Sequence, residues 1–238
     1  MAKLTWDNVG EHLYHTGNKQ GVLFVSDPTV EASGNRLAGY ANGVAWNGLS
    51  SVSETPSGAD ENAIYADDMK YLALRGAEDF GGTIECYTYP DEFAACNGEA
   101  SPIPGMRFGQ QGRKAFGFAF ISTIGNDTEG NEHGKQIHII YNATCNPSER
   151  GYQSINDSPE AIAFSFEFTT TPIAMTINGV TYKNASNIII DSTKCTKAQF
   201  NAVLNAIQGT DPTTEGGVGT DSYLPSPAGI YAIMTAAV

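Results

Sequence analysis

Positive charge is what this chain has least of. Its 238 residues include 13 Lys or Arg against 26 Asp or Glu, a formal net charge of −13. A phosphate backbone is gripped by clustered cations that displace its counterions, so sequence-specific nucleic-acid binding is disfavoured, while repelling nucleic acid remains open. Cysteine is scarce too. Cys86, Cys96, Cys145 and Cys195 form no C-x-x-C pair, which argues against a zinc knuckle or thioredoxin-like motif. They read as buried small hydrophobes in a reducing cytoplasm, since a secreted disulfide framework would be denser. No apolar run is long enough to span a membrane. The opening MAKLTWDNVGEH lacks the basic region and apolar stretch of an export signal, so the expectation is a protein made in a cytoplasm with no membrane partner.

Catalytic signatures are also lacking: there is no G-x-S-x-G, Walker loop or dinucleotide fingerprint. Asp67-Asp68 and Asp91-Glu92 are carboxylate pairs only by composition, because adjacent side chains point in different directions and do not flank a glycosidic bond. His133 and His138 have no cysteine or acid at metal-ligand spacing, and His12 and His15 have no third ligand in view. The expectation is a non-enzyme without cofactor or metal.

What the chain does have is period-two alternation, rich in aromatic and β-branched residues, which makes it mainly β. Strands are predicted at Thr83–Tyr89, Ala115–Ile124, Lys135–Tyr141 and Glu160–Thr171. Phe116, Phe118 and Phe120 share one face of the second. In the last, Ile162, Phe164, Phe166 and Phe168 point inward, and Ala161, Ala163, Ser165, Glu167 and Thr169 point outward. The Gly, Asn and Asp content of Gly125–Gly134 reads as a hairpin loop pairing the second and third. A helix is predicted after the T-x-x-Q capping box at Thr196–Gln199, with an apolar stripe of Phe200, Val203, Leu204 and Ile207 and a stop at Gly209. Shorter helices are expected at Ala66–Arg75 and Pro90–Cys96.

Two connections, residues 26–42 and 98–112, exceed the ~12–15 residues beyond which structureless loops become uncommon in compact domains, so they read as functional loops. The division expected is a domain over 1–209 and a C-terminal arm over 210–238. That arm ends in apolar residues including Ile230, Tyr231 and Ile233, which dock either on their own domain or on another copy. Residues 42–100 carry eleven acids against Lys70 and Arg75, whereas Arg107, Arg113 and Lys114 form a basic cluster. That cluster is read either as a solvated loop or as the partner of an adjacent subunit's acidic surface.

Several motifs are specific in combination and in order: WNGL, Tyr65-Ala66-Asp67, CYTYPDEF, GQQ-x-RK-x-F, IGNDT, PSE and NDSPEAI, preceded by TWDNVGEHLYHTGNKQGVLF. Over Gly43–Pro172 the chain resembles the major tail protein family of siphophages infecting Gram-positive bacteria. The Gly-rich segment after Asp191, ending in TAAV, departs from that pattern.

The resemblance implies a β-sandwich or partial barrel with a flanking helix, the fold of phage tail tubes and the type VI secretion tube. It implies six-copy rings stacked on a tape-measure protein, tail terminator and distal tail proteins as partners, and DNA passing through without specific binding. The location implied is the virion tail. Glu85 and Glu167, on polar sides of their strands, are the expected lumen-facing acids, and Arg107, Arg113, Lys114, Ile230, Tyr231 and Ile233 the expected inter-subunit residues. The competing reading is a carbohydrate-binding β-sandwich stacking sugars on Trp46, Tyr87 and Tyr89.

Overall fold

The structure is a computed structural model describing residues 4–155, 157, 161–212 and 217–237. It is mainly β with flanking helices, the class read from the alternation. One antiparallel sheet runs in the order β2 (Val44–Trp46), β1 (Tyr14–Val25), β9 (Phe116–Asn126), β10 (Gly130–Cys145), β11 (Phe164–Thr170), β8 (Gly81–Cys86), β3 (Leu49–Glu54). β14 (Asn187–Asp191) also pairs with β10. The ends of this path meet, making a partial barrel: Gly21 on β1 has no room for a Cβ, which would stand 2.5 Å from Leu49 Cδ1 on β3.

The barrel interior is aromatic. Trp46, Phe93, Phe116, Phe118, Phe166 and Phe168 are all buried there, with ring centroids 4.4 Å apart for Trp46–Phe93 and 4.9 Å for Phe93–Phe166. Tilted and edge-on rings at such spacings add to the burial energy. Phe93 comes from the short α1 (Phe93–Cys96), within the segment expected to be helical. Glu160, the expected start of the Phe164–Phe168 strand, lies outside the described residues.

A second core covers the outer face of β1, β9 and β10. There α2 (Lys197–Gln208) lays Phe200, Val203 and Ile207 on Ile137, Ile139 and Tyr141. Its N-terminus is the predicted capping box, with Gln199 N donating to Thr196 Oγ1 and Thr196 N to Gln199 Oε1. The described part of 210–238 joins this core. α3 (Pro227–Ala236) starts with Ser226 capping and Pro227 in the first turn, and buries Ile230. Tyr141 Oη donates to Pro225 O at 2.9 Å, and Leu224 is fully buried. Residues 26–42 are tied to the same segment: Leu37 N donates to Leu224 O, and Ser226 N to Asn35 O. A small hairpin, β12 (Ile173–Ile177) with β13 (Val180–Ala185), leads into β14 and turns on Asn178-Gly179, both in the left-handed region.

The helix expected at Ala66–Arg75 does not form. β5 (Glu61–Ala66) pairs instead with β6 (Met69–Arg75), around a turn in which Asp67 and Asp68 have φ of 51° and 60°. A left-handed pair of this kind suits a two-residue hairpin turn and stops a right-handed helix from running through it. Hairpin pairing thus overrides the helix propensity of Leu72, Ala73, Leu74 and Arg75.

Burial pushes the Cys86 thiol up to about 11 and those of Cys96 and Cys145 up to about 12. Since the thiolate is the nucleophile, all three are inert in the folded chain at neutral pH. Native protein at pH 8 should therefore react with a thiol reagent at partly buried Cys195 alone, and at all four in denaturant. Rapid native reaction of two or more thiols would show that the aromatic interior opens.

Candidate assembly surfaces

Beyond Glu54, β3 and β8 leave the barrel as a two-stranded arm. It runs through β4 (Ser57–Gly58) paired with β7 (Glu78–Asp79), then β5 paired with β6, to the Asp67-Asp68 tip. Ile64 and Leu72 are cross-strand partners, as are Asn62 and Leu74, so Ile64, Leu72 and Leu74 share one face. Tyr65 and Tyr71 are about 70% exposed, and Met69 and Leu74 at least half exposed. An isolated two-stranded hairpin is marginal in water, and a run of large apolar side chains on one marks a surface built for contact. The arm is also acidic, with Asp60, Glu61, Asp67, Asp68, Glu78 and Asp79 against Lys70 and Arg75. Both cations lie against Glu61.

The outer face of β11, β8 and β3 is a sheet of small polar side chains. Ser165 stands opposite Glu85, Glu167 opposite Thr83, Ser51 opposite Glu85 and Ser53 opposite Thr83. Glu85 and Glu167, the two acids expected to face a lumen, are diagonal neighbours on adjacent strands of this face, and both are exposed. Glu85 accepts from Ser51 Oγ at 2.8 Å. No basic side chain lies within ion-pair reach of either among the described residues.

The basic residues are less free than their sequence suggests. Arg107 pairs with Asp91 and lies 3.9 Å from Glu99. The Arg113 guanidinium donates to the Cys145 and Asn146 carbonyls at 3.2 and 3.3 Å, fastening the residue to the end of β10. Lys114 is exposed. Ile230 is buried in its own chain's second core, Ile233 is partly buried against it, and Tyr231 remains 41% exposed. The loop 98–112 presents Ile103, Met106 and Phe108 to solvent.

The aromatics invoked for sugar stacking are mostly committed elsewhere. Trp46 is buried with its indole N–H on Thr88 O at 3.0 Å, and Tyr89 lies under the Arg107 and Arg150 guanidiniums; Tyr87 alone is exposed.

The chain is thus a barrel-like antiparallel sheet with a helical outer layer and a projecting arm. No family model matches it, and no curated protein matches it. Similar solved structures include a chain of the PVC sheath–tube complex, an extracellular contractile injection system in its extended state. The identity is 13%, over 72% of this chain and 88% of that one, with a TM-score of 0.29. Another is a chain of the 6-fold symmetrised anti-feeding prophage baseplate, 8% identical over 79% of this chain and 97% of that one, TM-score 0.32.

Proposed function

We propose that this chain is a tail tube subunit: six copies close into a ring, and rings stack on a tape-measure protein into a tube that conducts DNA out of a virion. Tail terminator and distal tail proteins would cap the two ends, and assembly would follow synthesis in the host cytoplasm. The observation that carries the reading is the arm, which leaves a folded barrel with apolar side chains on a ribbon too thin to bury them. A neighbouring subunit of fixed geometry would cover these side chains, and a heterologous contact of that kind closes into rings or propagates as a filament. The resemblance of its motifs to those of siphophage major tail proteins supports the same reading.

The exposed polar face of β11, β8 and β3 suits a lumen. Small hydroxyl side chains hold water, and the Glu85 and Glu167 carboxylates repel a passing polyanion that clustered Lys or Arg would trap. Electron microscopy of the purified protein at rising concentration tests the assembly: rings and stacked tubes are expected, and a monodisperse monomer at every concentration would refute it. For the lumen, replacing Glu85 and Glu167 together by Lys should make tubes retain short duplex DNA at low salt and release it as salt rises. Equal, low co-sedimentation of DNA with mutant and native tubes would place this face outside the channel.

A further inference from the structure

One end of the barrel interior is closed by a polar chain that sequence spacing does not reveal. Ser122 Oγ lies 2.8 Å from His138 Nε2, and His138 Nδ1 lies 3.2 Å from Glu54 Oε1. The imidazole is stacked on Phe120 with centroids 4.4 Å apart and planes 8° from parallel. A carboxylate only accepts, so Nδ1–H donates to Glu54, and the Ser122 hydroxyl, which can donate or accept, meets Nε2.

The connectivity is that of a Ser-His-Glu triad, but its setting is not catalytic. Ser122 lies mid-strand in β9, paired with Gln136 on β10 and facing a bulge of β1, and successive N–H groups of an extended strand point to opposite edges, so its backbone offers no convergent pair to hold an oxyanion. Phe120 also covers one face of the ring. The significance lies in where Glu54 is: the last residue of β3, at the root of the arm, 84 positions along the chain from His138.

Glu54, Gly82, Phe168 and Cys145 are successive cross-strand partners, which turns the Glu54 side chain toward the interior with Phe168. An inward carboxylate at the rim of an aromatic core is costly unless a donor meets it, and His138 meets it. The other strand of the root is fastened separately, with Thr170 N and Oγ1 both donating to Phe80 O at 3.0 and 2.7 Å. A ribbon held at one strand can pivot; held at both it has a fixed direction.

We propose that His138, positioned by Ser122 and Phe120, is a latch that fixes the angle at which the arm leaves the barrel by holding Glu54. Its use rests on the tube reading, because an arm that must meet the next subunit in register needs a set direction. The latch itself is a property of the single chain and is tested there. Spin labels on Asp68→Cys at the arm tip and Glu132→Cys on the barrel, in a Cys195→Ser background, report the angle as a distance distribution. The three remaining thiols are buried and unreactive.

A single narrow distance is expected in the labelled parent, and its loss in His138→Phe, which keeps the ring stack but removes both hydrogen bonds. Glu54→Ala should lose it too, without touching the ring stack, while Glu54→Gln, still able to hydrogen-bond His138, should restore it. A narrow distance that survives in Glu54→Ala and His138→Phe would overturn the latch, as would a Glu54→Gln distribution as broad as that of Glu54→Ala. A monomer with a working latch that never forms tubes would instead count against the tube reading alone.

Discussion

Removing one ring from the barrel interior, Phe166→Ala, is expected to cost about 3–5 kcal/mol of stability, the range for truncating a fully buried phenylalanine. Phe166 is 1% exposed and stands at the centre of the aromatic cluster, with Phe93 at 4.9 Å, Tyr89 at 5.3 Å and Trp46 at 6.4 Å. These neighbours come from two separate stretches of chain, Trp46 on β2 and Tyr89 with Phe93 at the start of α1, and sheet pairing fixes the backbone of β2 and of β11 itself, so the space left by the ring collapses only in part. For a chain of this size each kcal/mol moves the melting temperature by roughly 2–4 °C, so a fall of about 10 °C is expected. Phe164→Ala is the control. That ring is half-buried at the rim, stacked 6.3 Å from Phe166, and its loss should move the transition far less. An unchanged melting temperature in Phe166→Ala would mean that this face of β11 does not point into the barrel.

The period-two reading succeeds where one face of a strand packs and the other meets water, as in β11, where buried Phe166 and Phe168 alternate with exposed Ser165, Glu167 and Thr169. In β9 it finds the large face and misses the meaning of the small one. Gly117 and Ala119 are buried as well, because the outer layer presses on them; a Cβ on Gly117 would lie 2.6 Å from Leu224 Cδ2. The outer layer draws on residues 26–42 and 217–237, whose contacts with β9 and β10 are long-range and leave no local period.

The sequence also carries local signals for elements that periodicity does not predict. Asn178-Gly179 marks the β12–β13 turn, and Ser226-Pro227 marks the start of α3. The arm is hidden for a different reason. Residues 69–75 are good helix formers, and the Asp67-Asp68 turn is a weaker hairpin signal than Asn-Gly. The Glu54–His138 contact is beyond any spacing rule, because it exists only once the sheet has curled to set the end of β3 across the interior from β10.

Excising the arm is expected to abolish tube formation while leaving the barrel intact. Replacing Ser57–Asp79 by an Asn-Gly turn between Pro56 and Phe80 removes no residue of either core, since Val52 and Phe80, which pack on the aromatic interior, both remain. Thr55 N still donates to Gly81 O, so the shortened hairpin closes one pair beyond Glu54. The melting temperature should therefore stay close to that of the full chain, or rise where unpartnered apolar surface had favoured aggregation. The removed segment carries the exposed Tyr65, Met69, Tyr71, Leu72 and Leu74 and six of the chain's acids. If these make the contact between stacked subunits, particles from the shortened chain should stop at monomers or single rings in electron microscopy at concentrations where the full chain builds long tubes. Point variants grade the effect: Leu72→Ser with Leu74→Ser should shorten tubes through lost apolar contact, and Asp67→Lys with Asp68→Lys should do so through altered charge, the second with a strong dependence on salt. Tubes of normal length from the excised chain would assign stacking to the exposed loop 98–112 or to the helical layer, and leave the arm without a role in assembly.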